Sequence, residues 1–65
     1  MNIGKSIQAG MTNSETDAKQ LAEQMKVTVS WINSMRNSTH ANTRTVEIFA
    51  KQFGMEVSEF VALGE

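Results

Sequence analysis

Short polar side chains recur along residues 28–36, a stretch whose apolar spacing predicts one helix. On such a helix Ser30, Asn33 and Ser34 share a face, because residues three and four apart are neighbours. A carboxamide can pair with both hydrogen-bonding groups of an adenine in the DNA major groove, whereas a hydroxyl accepts several bases. The residue types of this face are therefore suited to contact DNA bases. Asn33 is the strongest candidate for discrimination, at about 1–3 kcal/mol for a good bidentate pair.

Two further residues extend this face at its N-terminal end. Thr28 would lie at the mouth of the groove, and Val29 could pack on a thymine methyl group. The predicted base contacts are thus Thr28, Val29, Ser30, Asn33 and Ser34. Taken without the sequence around them, the same residues would be interpreted as ordinary solvated helix surface.

The charges of the chain are unevenly distributed. The net charge is −1, yet residues 24–46 contain Lys26, Arg36, Arg44 and His40 and no acid, whereas four glutamates and one lysine follow from residue 47. DNA responds to charge within about one Debye length, roughly 10 Å, so a basic middle can bind while the ends are acidic. Three cations in such a stretch are also unremarkable, so charge permits DNA binding without establishing it.

Polar and cationic residues around the predicted helix are candidates for contacts to DNA phosphates. They are Lys19, Arg36, Asn37, Thr39, His40, Thr43 and Arg44. Lys19 lies near a helix N-terminus, where free N–H groups also attract anions. Each of these residues could equally be plain surface. His40 is interpreted as a loop residue rather than a catalytic base, because no nucleophile motif accompanies it.

Composition argues against several other functions. With no Cys and one His among 65 residues, the chain predicts no disulfide, no metal site and no cofactor. Without a convergent pair of acids it offers no workable catalytic set, so we expect no enzyme. No apolar run approaches the ~18 residues of a membrane span, and the N-terminus lacks a signal-peptide pattern, which predicts a cytoplasmic protein without a membrane partner.

The elements that must position these side chains are all predicted to be helices, in a single domain over residues 1–65. Proline is absent and no apolar–polar alternation indicates a strand. Ile3, Ile7 and Met11 form the apolar stripe of a first helix, with Gly10 as its predicted C-terminal cap. Residues 12–16 are polar and predict a turn.

Two helices joined by a short turn are predicted over residues 17–36. Asp17 and Gln20 form a capping box for the first of them, with Ser14 as a competing start. Residues 26–28 break the pattern, and Thr28 is the expected N-cap of the second helix. The residues expected to lock the crossing of the two helices are Leu21, Ala22, Met25, Val27, Ile32 and Met35.

The C-terminal half predicts two more helices after a polar loop over residues 37–42. Thr43 or Thr45 is the expected N-cap of the fourth helix, which carries Val46, Phe49, Ala50 and Phe53 on one face. Gly54 should end it, with Met55 folding back on the helix. Val57 or Ser58 opens a last short helix containing Phe60, Val61 and Leu63.

Two segments of the chain resemble the Cro/phage-repressor (XRE-like) helix-turn-helix family. Residues 18–37, AKQLAEQMKVTVSWINSMRN, are similar to its helix-turn-helix. Residues 46–60, VEIFAKQFGMEVSEF, are similar to its L-x-x-I-A-x-x-L-G-V-x-x-x-x-L segment. The resemblance implies a lambda-repressor-like compact bundle of about five helices, which usually binds a palindromic operator as a dimer.

The chain departs from the family pattern at three places. Lys26 stands where the family commonly has a glycine, Ala18 replaces a glutamine that touches phosphate, and residues 36–38 lack the usual Glu-Asn-Gly and proline. A lysine can adopt positive φ at a cost on the order of 1 kcal/mol. These departures affect the expected phosphate contacts more than the expected fold.

Two apolar features of the predicted surface remain. Trp31 precedes the inward-facing Ile32 and should pack at a boundary, on the first helix or the loop, with its indole N–H able to reach a phosphate. Val61 and Leu63, with Ala62 between them, are predicted to form a homodimer contact that would place two helices about one DNA turn, ~34 Å, apart. Alternatively, they simply close the core.

The sequence thus predicts a double-stranded DNA-binding transcription regulator, Cro-like or phage-repressor-like, rather than an enzyme. The alternative is an antitoxin-type or protein-interaction module of the same fold, which the mild acidity and the departures at Ala18 and Lys26 favour.

Overall fold

A computed structural model describes residues 2–65, and over this range the chain forms five α-helices without a strand. They are α1 (Ile3–Asn13), α2 (Ala18–Met25), α3 (Val29–Arg36), α4 (Thr43–Gln52) and α5 (Val57–Ala62). The Cα radius of gyration is 10.3 Å, close to the ~11 Å expected of a compact domain of this length. The predicted all-α bundle of about five short helices is confirmed.

Every helix contributes at least one fully buried apolar side chain to a single core. These side chains are Ile3 and Ile7 of α1, Leu21 of α2, Ile32 of α3, Phe49 of α4 and Phe60 of α5. Ala22, Val46 and Ala50, also predicted to face inward, are buried as well. Because α3 is anchored through Ile32, the core decides which side of α3 meets solvent.

Local hydrogen bonds begin α2 and α3 where the sequence predicts. The Gln20 backbone N–H donates to Asp17 Oδ1 at 2.7 Å, and the Asp17 N–H donates to Gln20 Oε1 at 3.2 Å. The Trp31 N–H donates to Thr28 Oγ1 at 3.1 Å. Between the two helices Lys26 adopts φ +58°. The chain thus makes the tight α2–α3 turn with a lysine in the left-handed region, where glycine would be less strained.

The end of α1 differs from the prediction. Gly10 is not a C-terminal cap, because α1 continues to Asn13 and the turn expected from residue 12 starts later. Gly10 is buried instead, and a Cβ there would lie 2.8 Å from the Phe53 ring. The glycine therefore serves close packing of Phe53, at the end of α4, on α1.

The sequence prediction for α4 is wrong at the start of the helix and correct at its end. Neither Thr43 nor Thr45 is the N-cap; the Asn42 Oδ1 accepts the Thr45 N–H at 2.8 Å. At the other end Gly54 has φ +68° and the Met55 N–H donates to the Ala50 carbonyl at 2.8 Å, as predicted. An asparagine fills the cap role as well as a threonine does, so local sequence alone did not separate them.

A close backbone approach joins the α3–α4 loop to α1. The Gly4 N–H donates to the Ser38 carbonyl at 2.9 Å, and the Ile3 N–H reaches the Thr39 carbonyl at 3.5 Å. A Cβ on Gly4 would meet the Arg36 carbonyl oxygen and would lie 2.8 Å from that of Ser38. Since these are backbone atoms, the loop would have to move to accept any side chain here.

We expect Gly4→Ala to destabilise the domain by about 1–3 kcal/mol, the usual cost of forcing a methyl group into a packed site. Urea unfolding followed by circular dichroism measures the loss. Lys5→Ala, at the adjacent exposed position, is the control and should change stability little. Equal stability of the two variants would show that the loop does not dock on α1 in this way.

Candidate nucleic-acid interface

The orientation of α3 follows from its inward contacts. Ile32 is 0% exposed, and Met35, one turn on, is half-buried against the core. Trp31 stacks on Phe49 of α4 with ring centroids 5.6 Å apart and planes inclined by 4°. Its partner is therefore α4, not the first helix or the loop as predicted. These contacts turn the opposite edge of α3 outward.

The exposed face of α3, defined by Thr28, Val29, Ser30, Asn33 and Ser34, contains all five residues predicted to contact bases. Each of the five is solvent-accessible, and Val29, the one large apolar side chain of the set, is 40% exposed. At ~100° of rotation per residue, Ser30 and Ser34 lie roughly 160° from Ile32, and Asn33 about 100° from it. The side chains can thus approach a groove wide enough for a helix; base contact itself stays a prediction.

The Asn33 carboxamide keeps the groups that adenine recognition needs. Its Oδ1 accepts a long contact of 3.4 Å from Arg36 Nη1, weaker than a normal hydrogen bond of ~2.9–3.0 Å. A carboxamide oxygen has two lone pairs and its nitrogen two donors, so one acceptor site and the Nδ2 hydrogens remain open. A bidentate pair requires one acceptor and one donor.

The Arg36 side chain is held by α1, which the sequence did not reveal. Arg36 Nε donates to Gln8 Oε1 at 3.0 Å, and Nη2 donates to the same oxygen. With the contact to Asn33, three of the five guanidinium N–H groups are engaged, which leaves two for a phosphate. Gln8 lies 28 residues from Arg36, so no local pattern could have indicated the pair.

A polar groove of about 570 Å³ adjoins the exposed face of α3. It brings together three predicted phosphate contacts, Arg36, Asn37 and Thr39, with Lys5 and Gln8 of α1. Lys5 is a cation that the sequence did not mark as a DNA contact. Two cationic side chains and several amides therefore line one surface beside Asn33, an arrangement suited to a phosphate backbone that follows the edge of a groove.

The other predicted phosphate contacts lie on separate elements. Lys19 is in the first turn of α2, Thr43 and Arg44 begin α4, and His40 is in the α3–α4 loop. All four are exposed, but none lines the polar groove. The caps Asp17 and Asn42 already use one free N–H at the start of α2 and α4, respectively. For these four residues phosphate contact stays a prediction.

The residues predicted for a dimer contact are partly used by the fold. Val61 and Leu63 are half-buried and pack against the core, whereas Ala62 is exposed. The large apolar side chains that are most exposed lie elsewhere: Val29, Trp31, Ile48 and Val57. The buried parts of the Val61 and Leu63 side chains help to close the core. A dimer contact through their exposed parts stays a prediction.

The described residues also bear on two other features, a metal-ion site and a membrane-spanning helix. Within residues 2–65, no three His, Asp or Glu side chains come together as a possible metal-ion site. Over the same residues, the helices are too short and too polar for one to cross a membrane.

Comparison with protein-family models, with curated proteins and with solved structures finds no match for this chain.

Proposed function

We propose that this protein is a sequence-specific, double-stranded DNA-binding transcription regulator, Cro-like or phage-repressor-like, that inserts α3 into the major groove. The observation that carries the proposal is the burial of Ile32 beneath an exposed edge of short polar side chains that includes Asn33. Small side chains at the start of a helix let its backbone come close to the bases. In this proposal the protein binds DNA rather than catalysing a reaction, and it acts in the cytoplasm without a cofactor.

Local charge supports the proposal despite the net charge of −1. Lys5 and Arg36 flank the exposed face of α3 in the polar groove, and residues 24–46 contain no acid. Charges beyond roughly 10 Å are largely screened at moderate salt, so the charge close to α3 affects DNA binding more than the net charge of the chain does.

The proposed binding unit is a homodimer on a palindromic operator. One copy has Cα extents of 25 × 20 × 19 Å, shorter than the ~34 Å between successive major-groove half-sites. Two copies are therefore needed to fill two half-sites on one side of the duplex. Val61 and Leu63 remain the proposed contact between them.

A protein-interaction or antitoxin-type module is the second candidate. It is favoured by the exposure of Trp31, at 36%, and Ile48, at 47%, because both are large apolar side chains on a small domain.

The two candidates are separated by enrichment of a random duplex library, followed by titration of the enriched and a scrambled duplex at two salt concentrations. A DNA regulator should enrich one sequence and should lose affinity steeply with salt, since it displaces counterions from phosphates. Failure to enrich any sequence, or an affinity that does not change with salt concentration, would contradict the DNA-binding proposal.

We expect Arg36→Ala to weaken binding to enriched and scrambled duplexes by similar factors. The two unengaged N–H groups of Arg36 are assigned to a phosphate, so the slope of log affinity against log salt should become less steep by about 0.9 for each phosphate that Arg36 neutralises. Fluorescence anisotropy measures both quantities.

The control for Arg36→Ala is Lys51→Ala, which removes the same charge from an exposed position of α4 outside the polar groove. Its salt slope should remain that of the parent. If Arg36→Ala also kept the parental slope, Arg36 would not contact phosphate.

A further inference from the structure

A second groove lies away from the polar one, between the α2–α3 turn and α4. Met25, Val27 and Trp31 form one side, and Ile48, Lys51 and Gln52 of α4 form the other. Its volume is about 630 Å³ and it is open to solvent. Gln52 Nε2 donates to Gln24 Oε1 at 2.7 Å, which ties α2 to α4 beside it. A side-chain hydrogen bond therefore links α2 and α4 at one edge of the groove.

The apolar surface of this groove is large and rigid. Ile48 is 47% and Trp31 36% exposed. Trp31 is held by its stacking on the fully buried Phe49. An aromatic side chain that is already ordered loses little conformational entropy when a partner covers it, which favours binding. Neither residue is needed on the exposed face of α3, because Trp31 and Asn33 differ by about 200° of helical rotation.

Most of the charged residues around the groove are cations. Lys51 lines it, and the exposed Lys26 stands between the lining residues Met25 and Val27. Arg44 precedes Ile48 by four residues on α4, so the two side chains are neighbours on the helix surface. Glu47 is rotated from Ile48 by about 100°, but it precedes Lys51 by four residues and so adds one acid beside the groove. With three cations and one acid, the rim therefore has a positive net charge around an apolar floor.

The apolar floor and the charged rim favour some binding partners of the groove over others. A second copy docked symmetrically would bring together two patches with the same positive net charge, since a two-fold interface pairs identical surfaces. Like charges brought together at an interface disfavour the complex. An acidic partner with an apolar stripe complements both the floor and the rim, and helices in apolar grooves bind through such stripes.

We propose that this groove binds an acidic amphipathic helix of a partner protein. The surface is separate from the exposed face of α3, and the proposal does not rest on DNA binding.

The only tryptophan of the chain, Trp31, lies in the groove and reports on its occupancy. The probe is a synthetic peptide of about 14 residues, with leucines at i, i+3, i+4 and i+7 and with glutamate and alanine elsewhere. Titration should shift the Trp31 emission to shorter wavelength and saturate. A peptide with lysine in place of glutamate should bind at least about tenfold more weakly, because the cationic rim repels it.

Two substitutions in the groove and one outside it test where the peptide binds. Ile48→Ser should weaken binding about tenfold or more, whereas Val57→Ser changes another exposed apolar residue, on α5 and outside the groove, and should have no effect. Lys51→Glu should weaken binding of the acidic peptide and strengthen binding of the basic peptide. Circular dichroism checks that each variant is folded.

Three results would overturn the proposal. The first is equal binding, or no binding, of the acidic and basic peptides. The second is an equal effect of Ile48→Ser and Val57→Ser. The third is self-association in sedimentation experiments that Ile48→Ser abolishes, because the occupant would then be a second copy of this chain.

Discussion

Phe49→Ala should abolish cooperative folding of this domain or bring it close to doing so. Phe49 is fully buried, and its ring stacks with three others, at centroid distances of 5.6 Å to Trp31, 6.5 Å to Phe53 and 6.3 Å to Phe60. Truncating a buried phenylalanine costs about 3–5 kcal/mol through lost transfer energy and the cavity left behind. A domain of 65 residues has roughly 3–10 kcal/mol of stability in total. Thermal and urea unfolding by circular dichroism measure the effect.

The neighbouring Ile48 supplies the control for Phe49→Ala. It lies on the same helix but is 47% exposed, so Ile48→Ala should cost far less than Phe49→Ala because it removes little buried surface. If Phe49→Ala melted cooperatively near the parental temperature, the core described here would be wrong. The placement of α3 that depends on this core would then lose its basis.

Asn33→Ala should weaken binding to the enriched duplex by roughly 5- to 150-fold, the equivalent of about 1–3 kcal/mol for one bidentate base contact. Binding to a scrambled duplex should change by less than about twofold, since non-specific binding depends on phosphates. The physical reason is the free acceptor and donor of the exposed carboxamide. The measurement is the ratio of the two affinities at fixed salt.

Asn37→Ala is the matched control for Asn33→Ala. It removes the same carboxamide one turn further on, from a residue of the polar groove assigned to phosphate. It should lower affinity for both duplexes by similar factors and leave their ratio unchanged. Equal reductions on both duplexes for Asn33→Ala would refute its role in base discrimination.

The sequence predicted those parts of the fold that local chemistry decides. The capping box of Asp17 and Gln20, the Thr28 cap and the left-handed Gly54 each involve groups within a few residues of one another. The face of α3 was equally predictable, because burial of Ile32 fixes by periodicity which side chains point outward. The starts of α2 and α3 and the outward edge of α3 therefore follow from the chain alone.

Contacts between distant segments were not predictable in this way. Gly10 resembles a helix cap until Phe53, 43 positions later, is seen to pack on it. The partner of Trp31 proved to be Phe49, and Gln8 holds Arg36 across 28 residues. Each depends on how α1, α3 and α4 pack, and no periodicity or capping pattern encodes that arrangement. The polar groove with Lys5 and the apolar groove beside α4 consequently became visible only in the structure.

The most direct test of α3 as the DNA-contacting helix is a ¹H–¹⁵N correlation spectrum of the labelled protein, titrated with the enriched duplex. We predict the largest shifts at Ser30, Asn33 and Ser34, with smaller ones at Lys5, Arg36 and Asn37 and little change at Ile48 and Val57. If the outward side of α3 stayed unperturbed while another surface shifted, the proposed mode of DNA binding would be contradicted.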